Sequence, residues 1–215
     1  MTRWISRIWI LCILLLAGAG AYAQSRPADL SASEQLAALL GQYAQLSAQF
    51  EQGLYDGNGT LIQRTQGTMA IQRPDHFRWV TQTPNQQIMI ASQQQLYIFD
   101  VDLAQITLSQ LSKEVGSTPA MLMTASASEL DAHYKVNSLP PKNQMIIYAL
   151  WPKSKHADFQ SIRVFFQKKL IKRIEIVDNM GQLTAISFSH LNTQPALSPS
   201  LFKFKYPKGV DVIHA

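Results

Sequence analysis

The sequence predicts a mainly β, antiparallel fold with one helix near its start. Beyond Leu46, apolar residues recur with a period of two in short segments rich in β-branched and aromatic residues, the pattern of strands. Turn-forming residues separate these segments as far as the C-terminus. A length of 215 residues fits one large β domain, and 47% hydrophobic residues are enough to build a packed core.

The first 23 residues are predicted to be a cleaved export signal. Two arginines precede the apolar run Ile8 to Leu16, and Ala21-Tyr22-Ala23 places small residues where a signal peptidase reads. An uncleaved membrane anchor is the alternative, but glycines follow the run too soon for a span of about 30 Å. We therefore expect residues 24–215 to form a single exported domain.

Cleavage would remove Cys12, the one cysteine of the sequence, together with Arg3 and Arg7. The mature chain would then contain no disulfide, no cysteine nucleophile and no zinc-thiolate site. It would hold 17 basic residues against 14 acidic ones. A net charge of +3 is too small to suggest nucleic-acid binding. The basic residues cluster late in the chain, either as solvated strand edges or as a docking surface for an acidic partner or membrane.

The N-terminal helix is predicted between Asp29 and Gln49, where apolar residues recur at intervals of three and four. Ser31 and Ser33 are the two candidate caps of this helix, and Glu34, three residues after Ser31, would complete a capping box with it. The pattern fits a helix that only stabilises the core as well as one that serves function.

The predicted strands follow from the alternating segments, and Asp56-Gly57-Asn58-Gly59 predicts a hairpin between the first two. The strands are Ser47 to Tyr55, Thr60 to Ile71, Phe77 to Thr81, Gln87 to Ala91, Gln95 to Asp100, Ala104 to Leu108, His133 to Asn137, Gln144 to Trp151, Phe159 to Gln167, Leu170 to Val177 and Leu183 to His190. Short helical segments are predicted from Pro119, capped by Thr118, and from Ser126 to Leu130.

Several predicted strands are apolar on both faces, which is unusual for a sheet with one face in water. In the segment from Met145 to Trp151, for example, all seven residues are apolar or aromatic. Helices that cover the sheet would explain this pattern. A curved sheet whose concave face lines an apolar cavity is the alternative, and the pattern alone leaves both open.

Residue groupings typical of enzymes are missing from the sequence. The five histidines are scattered, and there is no zinc-binding HExxH, nucleophile elbow, phosphate loop or dinucleotide fingerprint. We therefore predict no catalytic residues, no metal and no cofactor. An exported hydrolase would need a nucleophile and base, for which Ser187 with His190 is a candidate pair.

The segment from Gly67 to Trp79 resembles the signature of the LolA family, the periplasmic carriers of outer-membrane lipoproteins. The family reads a glycine, then Arg or Lys before Pro, then Phe-Arg/Asn-Trp, and this chain has Gly67, Arg73-Pro74 and Phe77-Arg78-Trp79. Further matches follow in order at Pro84 to Ser92, Leu96 to Asp100, Asp102 to Thr107, Thr118 to Met123, Phe202 to Phe204 and Pro207 to Ile213. The resemblance covers essentially the whole mature chain.

The resemblance implies an incomplete, strongly curved antiparallel β-barrel whose mouth is covered by helices that act as a lid. Arg73 matches the arginine that reaches carbonyl groups of the lid and holds it closed. Ala120 departs from the bulkier apolar residue of many relatives. The implied acyl-binding cavity is lined by Phe77, Trp79, Ile88, Met89, Ile90, Leu96, Tyr97, Met121, Leu122, Met123, Met145 and Ile147.

The same resemblance implies the function and partners. The chain would be a monomer that receives acylated lipoproteins from the inner-membrane ABC transporter LolCDE and delivers them to LolB, the outer-membrane receptor. LolB itself is a poor match, because it needs a lipidated cysteine at its mature start. A specialised relative that carries another lipid is the alternative.

Overall fold

A computed structural model describes residues 30–92, 94–110 and 122–214. The predicted export signal and the helix start at Thr118 to Pro119 lie outside the described residues. The helices are α1 (Ala32–Gly41) and α2 (Ala127–His133). The strands are β1 (Gln45–Tyr55), β2 (Leu61–Gln72), β3 (His76–Thr83), β4 (Gln87–Ser92), β5 (Gln95–Asp100), β6 (Gln105–Gln110), β7 (Tyr134–Lys142), β8 (Met145–Pro152), β9 (Phe159–Gln167), β10 (Leu170–Asp178), β11 (Leu183–Asn192) and β12 (Asp211–His214).

The twelve described strands form one sheet in the order β12-β6-β5-β4-β3-β2-β1-β11-β10-β9-β8-β7. All pairs are antiparallel except β12 with β6, which is parallel. The ends of the order, β12 and β7, are not paired with each other, so the sheet is not closed. This is the mainly β, incomplete barrel that the sequence predicts.

Helix α1 begins as predicted and ends earlier. The side chain of Ser31 accepts a hydrogen bond from the backbone of Glu34, whose carboxylate accepts one from the backbone of Ser31. The predicted extension to Gln49 is wrong, because the chain has entered β1 by Gln45. Apolar residues at 46, 48 and 50 fit a strand alternation better than a helix face, and all three are buried in the sheet.

The C-terminal part of the chain covers the convex face of the sheet. We call residues 193–210 the strap. The strap contains a short 3-10 helix, Pro199–Phe202, in which Phe202 is almost fully buried. It leads into β12, whose pairing with β6 the sequence did not predict. Among the described residues, none of the helices is long and apolar enough to cross a membrane.

Candidate functional site

The concave face of the sheet is an apolar surface to which nearly every strand contributes. Because neighbouring side chains point to opposite faces, the register places Ile71 beside Phe77, and Trp79 between Met69 and Met89. Of the predicted lining residues, this surface brings together Phe77, Trp79, Met89, Leu96, Leu122 and Met123, all buried in one cluster.

The centre of the concave face is aromatic. The rings of Phe50 and Trp79 stack with centroids 3.9 Å apart, and Phe188 meets Trp79 edge to face at 6.3 Å. Gly67 makes this arrangement possible, since a Cβ there would lie 2.5 Å from the Phe50 ring and 2.0 Å from the carbonyl oxygen of Val80. The glycine that opens the signature is therefore required by the close approach of an aromatic ring.

Five of the predicted lining residues lie on the other face of the sheet, and their assignment to the cavity needs correction. They are Ile88, Ile90, Tyr97, Met145 and Ile147. Ile88 and Ile90 flank the inward Met89, and Ile90 is paired with Tyr97, which stacks on Phe204 of the strap. Met145 and Ile147 alternate with the inward Tyr148. When a strand is apolar on both faces, its sequence does not show which alternate set of residues points inward. Met121 lies outside the described residues.

Other residues of the concave face were not among the predicted lining. They are Leu46, Ala48, Phe50, Met69, Ile71, Tyr148, Leu150, Ile162, Val164, Phe166, Ile171, Ile174, Ile176, Ile186 and Phe188. Once β1 is placed, the alternation of apolar residues along each neighbouring strand would have identified most of them.

Two helices and a turn cover the concave face. Leu36 of α1 and Leu130 of α2 are fully buried against it, beside Met123 from the turn that precedes α2. The two helices are tied together where Ser33 Oγ donates a hydrogen bond to the carboxylate of Asp131. We call α1, α2 and residues 122–126 the helical cover.

A few polar side chains join the helical cover to the sheet. The hydroxyl of Tyr148 on β8 donates to Gln35 Oε1 at 3.2 Å. Gln42, which ends α1, donates to the carbonyl oxygen of Lys169 at 2.6 Å, in the turn between β9 and β10. Burial raises the pKa of Tyr148, so this hydroxyl stays protonated and able to donate.

Arg73, directly after β2, lies beneath both parts of the cover. Its Nη2 donates to the carbonyl oxygen of Leu40 near the end of α1 and to that of Met123 at 2.8 Å. The last carbonyls of a helix have no partner within it and attract a cation. Burial lowers the pKa of Arg73, and its Nε is buried without a hydrogen-bond partner. One guanidinium thus contacts the two segments that cover the apolar surface, as the resemblance implies.

An apolar cavity opens where the end of α1 meets β10. Its volume is about 10 Å³, no more than the space that one water molecule needs, and its walls include Leu40, Leu46, Met123 and Phe166. Sites for small ligands usually measure roughly 300–1,000 Å³. The cavity in this closed form is therefore too small for a long acyl chain unless the helical cover moves.

The candidate catalytic pair is not assembled. Ser187 lies beside the inward Phe188 and is itself exposed, while His190 Nδ1 is 3.2 Å from Ser189 Oγ rather than from Ser187. In the described part of the chain, no three His, Cys, Asp or Glu residues are grouped to hold a metal ion.

Comparison with known proteins gives a family match over most of the chain. The family model described as "Outer membrane lipoprotein carrier protein LolA" matches residues 41–205. Two proteins named outer-membrane lipoprotein carrier protein, from Pseudomonas entomophila and Pseudomonas fluorescens, are each 34% identical to this chain. These alignments cover 94% and 96% of this chain and 97% of each relative.

Two solved structures share the fold at low sequence identity. An uncharacterized conserved protein from Thermus thermophilus superimposes with a TM-score of 0.56 at 10% identity, covering 86% of this chain and 100% of that one. A LolA superfamily protein from Nitrosomonas europaea gives a TM-score of 0.51 at 10% identity, covering 83% and 100%.

Proposed function

The chain belongs to the LolA family of outer-membrane lipoprotein carriers, and on that premise we propose that it carries the acyl chains of lipoproteins on its concave face. The observation that carries this proposal is the contact of Arg73 with Leu40 and Met123, which joins the helical cover to the sheet beside a continuous apolar surface. Binding and release need no covalent bond to be made or broken, so the proposed function involves no catalysis.

The size of the hydrophobic cost explains why a carrier is needed. Each buried CH₂ contributes about 0.8 kcal/mol, so one long acyl chain contributes on the order of 10 kcal/mol. A lipoprotein would leave its membrane unaided at a negligible rate. A carrier that buries these chains against Trp79, Met89 and Phe166 would offset most of that cost.

Release requires that the carrier does not bind too tightly. Hydrogen bonds to a charged group contribute about 1.5–3 kcal/mol each, and Arg73 makes two that must break when the cover moves. Opening therefore lowers the net affinity for lipid by the cost of leaving the closed state. Arg73 acts as a latch that favours the empty, closed form and so favours delivery.

Family membership supports an extracytoplasmic location, and we place the protein in the periplasm after removal of residues 1–23. Residues 24–215 then act as one domain. LolCDE would load it and LolB would receive its cargo. Any ATP is used by the transporter, since this sequence has no phosphate loop.

The test is native mass spectrometry of the mature chain after incubation with inner-membrane vesicles that contain newly made lipoproteins. We expect a soluble one-to-one complex with an intact acylated lipoprotein. A complex with free phospholipid or another acyl compound, and none with lipoprotein, would retain the lipid-carrier fold but overturn the proposed cargo.

A further inference from the structure

A second apolar region lies on the convex face, separated from the concave cavity by the sheet itself. Ile88, Ile90 and Phe99 form its floor, and the strap forms its wall. The groove has a volume of about 430 Å³. That volume is within the range of small-ligand sites, whereas the closed concave cavity is below it.

The charges around this groove are all of one sign. Arg78 on β3 and the strap residues Lys203 and Lys205 line it, and none of its lining residues is acidic. No carboxylate among the described residues lies within ion-pair distance of these three cations. Arg78 makes one long hydrogen bond, of 3.4 Å, from its Nη1 to the carbonyl oxygen of Leu201.

Arg78 is partly removed from solvent and has no anionic partner among the described residues. The side chain is half-buried beneath the strap, and the loss of solvent there lowers the pKa of its guanidinium. A cation taken out of water without a counter-ion is costly, and a bound anion would offset that cost. The planar guanidinium has donors arranged to bind phosphate or carboxylate through two hydrogen bonds.

The width of the floor limits what can lie on it. Ile88 is paired with Phe99 across β4 and β5, and Ile90 with Tyr97. Adjacent strands are about 4.8 Å apart. A floor of two strands beside the strap is therefore wide enough for one alkyl chain but not for two. Tyr97 in turn stacks on Phe204 of the strap, with ring centroids 5.0 Å apart.

We propose that the convex groove binds a single-chain amphiphile with an anionic phosphate headgroup, its acyl chain on Ile88 and Ile90 and its phosphate at Arg78. This site is distinct from the lipoprotein cavity and faces the opposite side of the sheet. It would let the carrier bind an anionic lysophospholipid whether or not its concave face is loaded.

Calorimetric titration with myristoyl lysophosphatidylglycerol tests this proposal, with the zwitterionic myristoyl lysophosphatidylcholine as the comparison ligand. The titrations use the Met89→Glu protein, in which the concave cavity carries a buried charge. We expect one lysophosphatidylglycerol per chain and at least tenfold weaker binding of the choline lipid. Adding Arg78→Gln should weaken lysophosphatidylglycerol at least tenfold. Adding Arg64→Gln should leave it unchanged, because that exposed arginine is paired with Glu51 outside the groove.

Should Met89→Glu prevent folding, the otherwise wild-type chain carrying Phe204→Trp provides a local fluorescent reporter. A lysophosphatidylglycerol brominated on its acyl chain should then quench more fluorescence than in the chain without Phe204→Trp, in which only Trp79 and Trp151 emit, and Arg78→Gln should abolish this difference. Equal binding of both lipids, or equal effects of the Arg78 and Arg64 variants, would overturn the proposal. So would Arg78-dependent binding of polyglutamate without lysolipid binding, which would assign the groove to an acidic peptide. Lipoprotein loading, measured separately, depends on the concave face and distinguishes failure of this site from failure of the carrier function.

Discussion

The two faces of the sheet are both apolar, yet they are covered in different ways. On the concave face the cover is two short helices and a turn, held to the sheet by side chains such as Arg73, Gln42 and Tyr148. On the convex face the cover is the strap, which is anchored by the buried Phe202 and continues into a strand that pairs with β6.

This difference separates a cover that can open from one that stays in place. A side chain that donates to carbonyl groups can exchange them for water or another partner at modest cost. A paired strand and a buried aromatic ring must be displaced together, at a cost of several kcal/mol. The comparison assigns the lipoprotein cargo to the concave face, whose cover can open, and a fixed cover to the convex face.

The largest expected effect is a difference in lipoprotein loading between variants that carry a charge on the concave face and on the convex face. Met89→Glu should reduce lipoprotein loading more than tenfold, because an ionised carboxylate in an apolar cavity is costly. The neighbouring Ile88→Glu should load normally, since its side chain lies on the convex face. Loading is measured by recovery of soluble lipoprotein complex. Equal loading by the two variants would remove the functional distinction between the faces.

Truncation of the strap anchor should cost stability without affecting transfer. Phe202 is almost fully buried, and Phe→Ala changes at such sites cost about 3–5 kcal/mol. For a domain of this size each kcal/mol lowers Tm by roughly 2–4 °C. Thermal unfolding of Phe202→Ala should show this loss, while transfer at low temperature stays normal. A transfer defect with unchanged Tm would mean that the strap belongs to the cargo site.

Loss of the latch should affect delivery more than loading. Arg73→Leu removes two hydrogen bonds to the helical cover, which are worth about 1.5–3 kcal/mol each, so transfer from the carrier to LolB should slow at least tenfold. Loading should persist, because leucine leaves the cavity apolar. Arg64→Leu, at an exposed position, is the matched control. Wild-type transfer by Arg73→Leu would argue against the latch.

Alkaline pH should lower the stability of the folded protein by less than the substitutions above. Burial raises the pKa of Tyr134 to about 12 from an ordinary value of 10.0. Since the folded state favours the neutral phenol, its contribution to stability is complete below pH 10 and is lost as the pH rises towards 12. Thermal unfolding across this range should show a steeper decline for the wild type than for Tyr134→Phe. Parallel declines would show that another group governs the alkaline transition.

The sequence was sufficient for the architecture because strand alternation is a local property. It predicted the strands from β1 to β11 and a helix cap at Ser31 or Ser33, but it did not decide which apolar set of each strand points inward. Ile88, Met89 and Ile90 alternate between the two faces of β4, and only the position of the helical cover over the whole sheet decides that Met89 points inward. Strand β12, which follows the strap, was missed for a related reason, since its pairing partner β6 lies about a hundred residues earlier.

Arg73 shows a second reason why the site could not be predicted from local sequence pattern. Its residue type and spacing alone are those of an ordinary strand arginine, and only the family resemblance singled it out. Its contacts with Leu40 and Met123 join segments that are 33 and 50 residues away along the chain. Such a contact depends on the complete fold.

The most direct test of the account is the distance between the helical cover and the sheet in the empty and loaded protein. The mature chain would contain no cysteine, so pairs of introduced cysteines can be spin-labelled and measured by double electron-electron resonance. Ala38 on α1 with Gln66 on β2 reports the cover, and Lys205 with Gln66 reports the strap; all three positions are exposed. We expect lipoprotein loading to lengthen the first distance by several ångströms and to leave the second unchanged. An unchanged first distance, or movement of the strap instead, would contradict the assignment of the concave face as the site that opens for cargo.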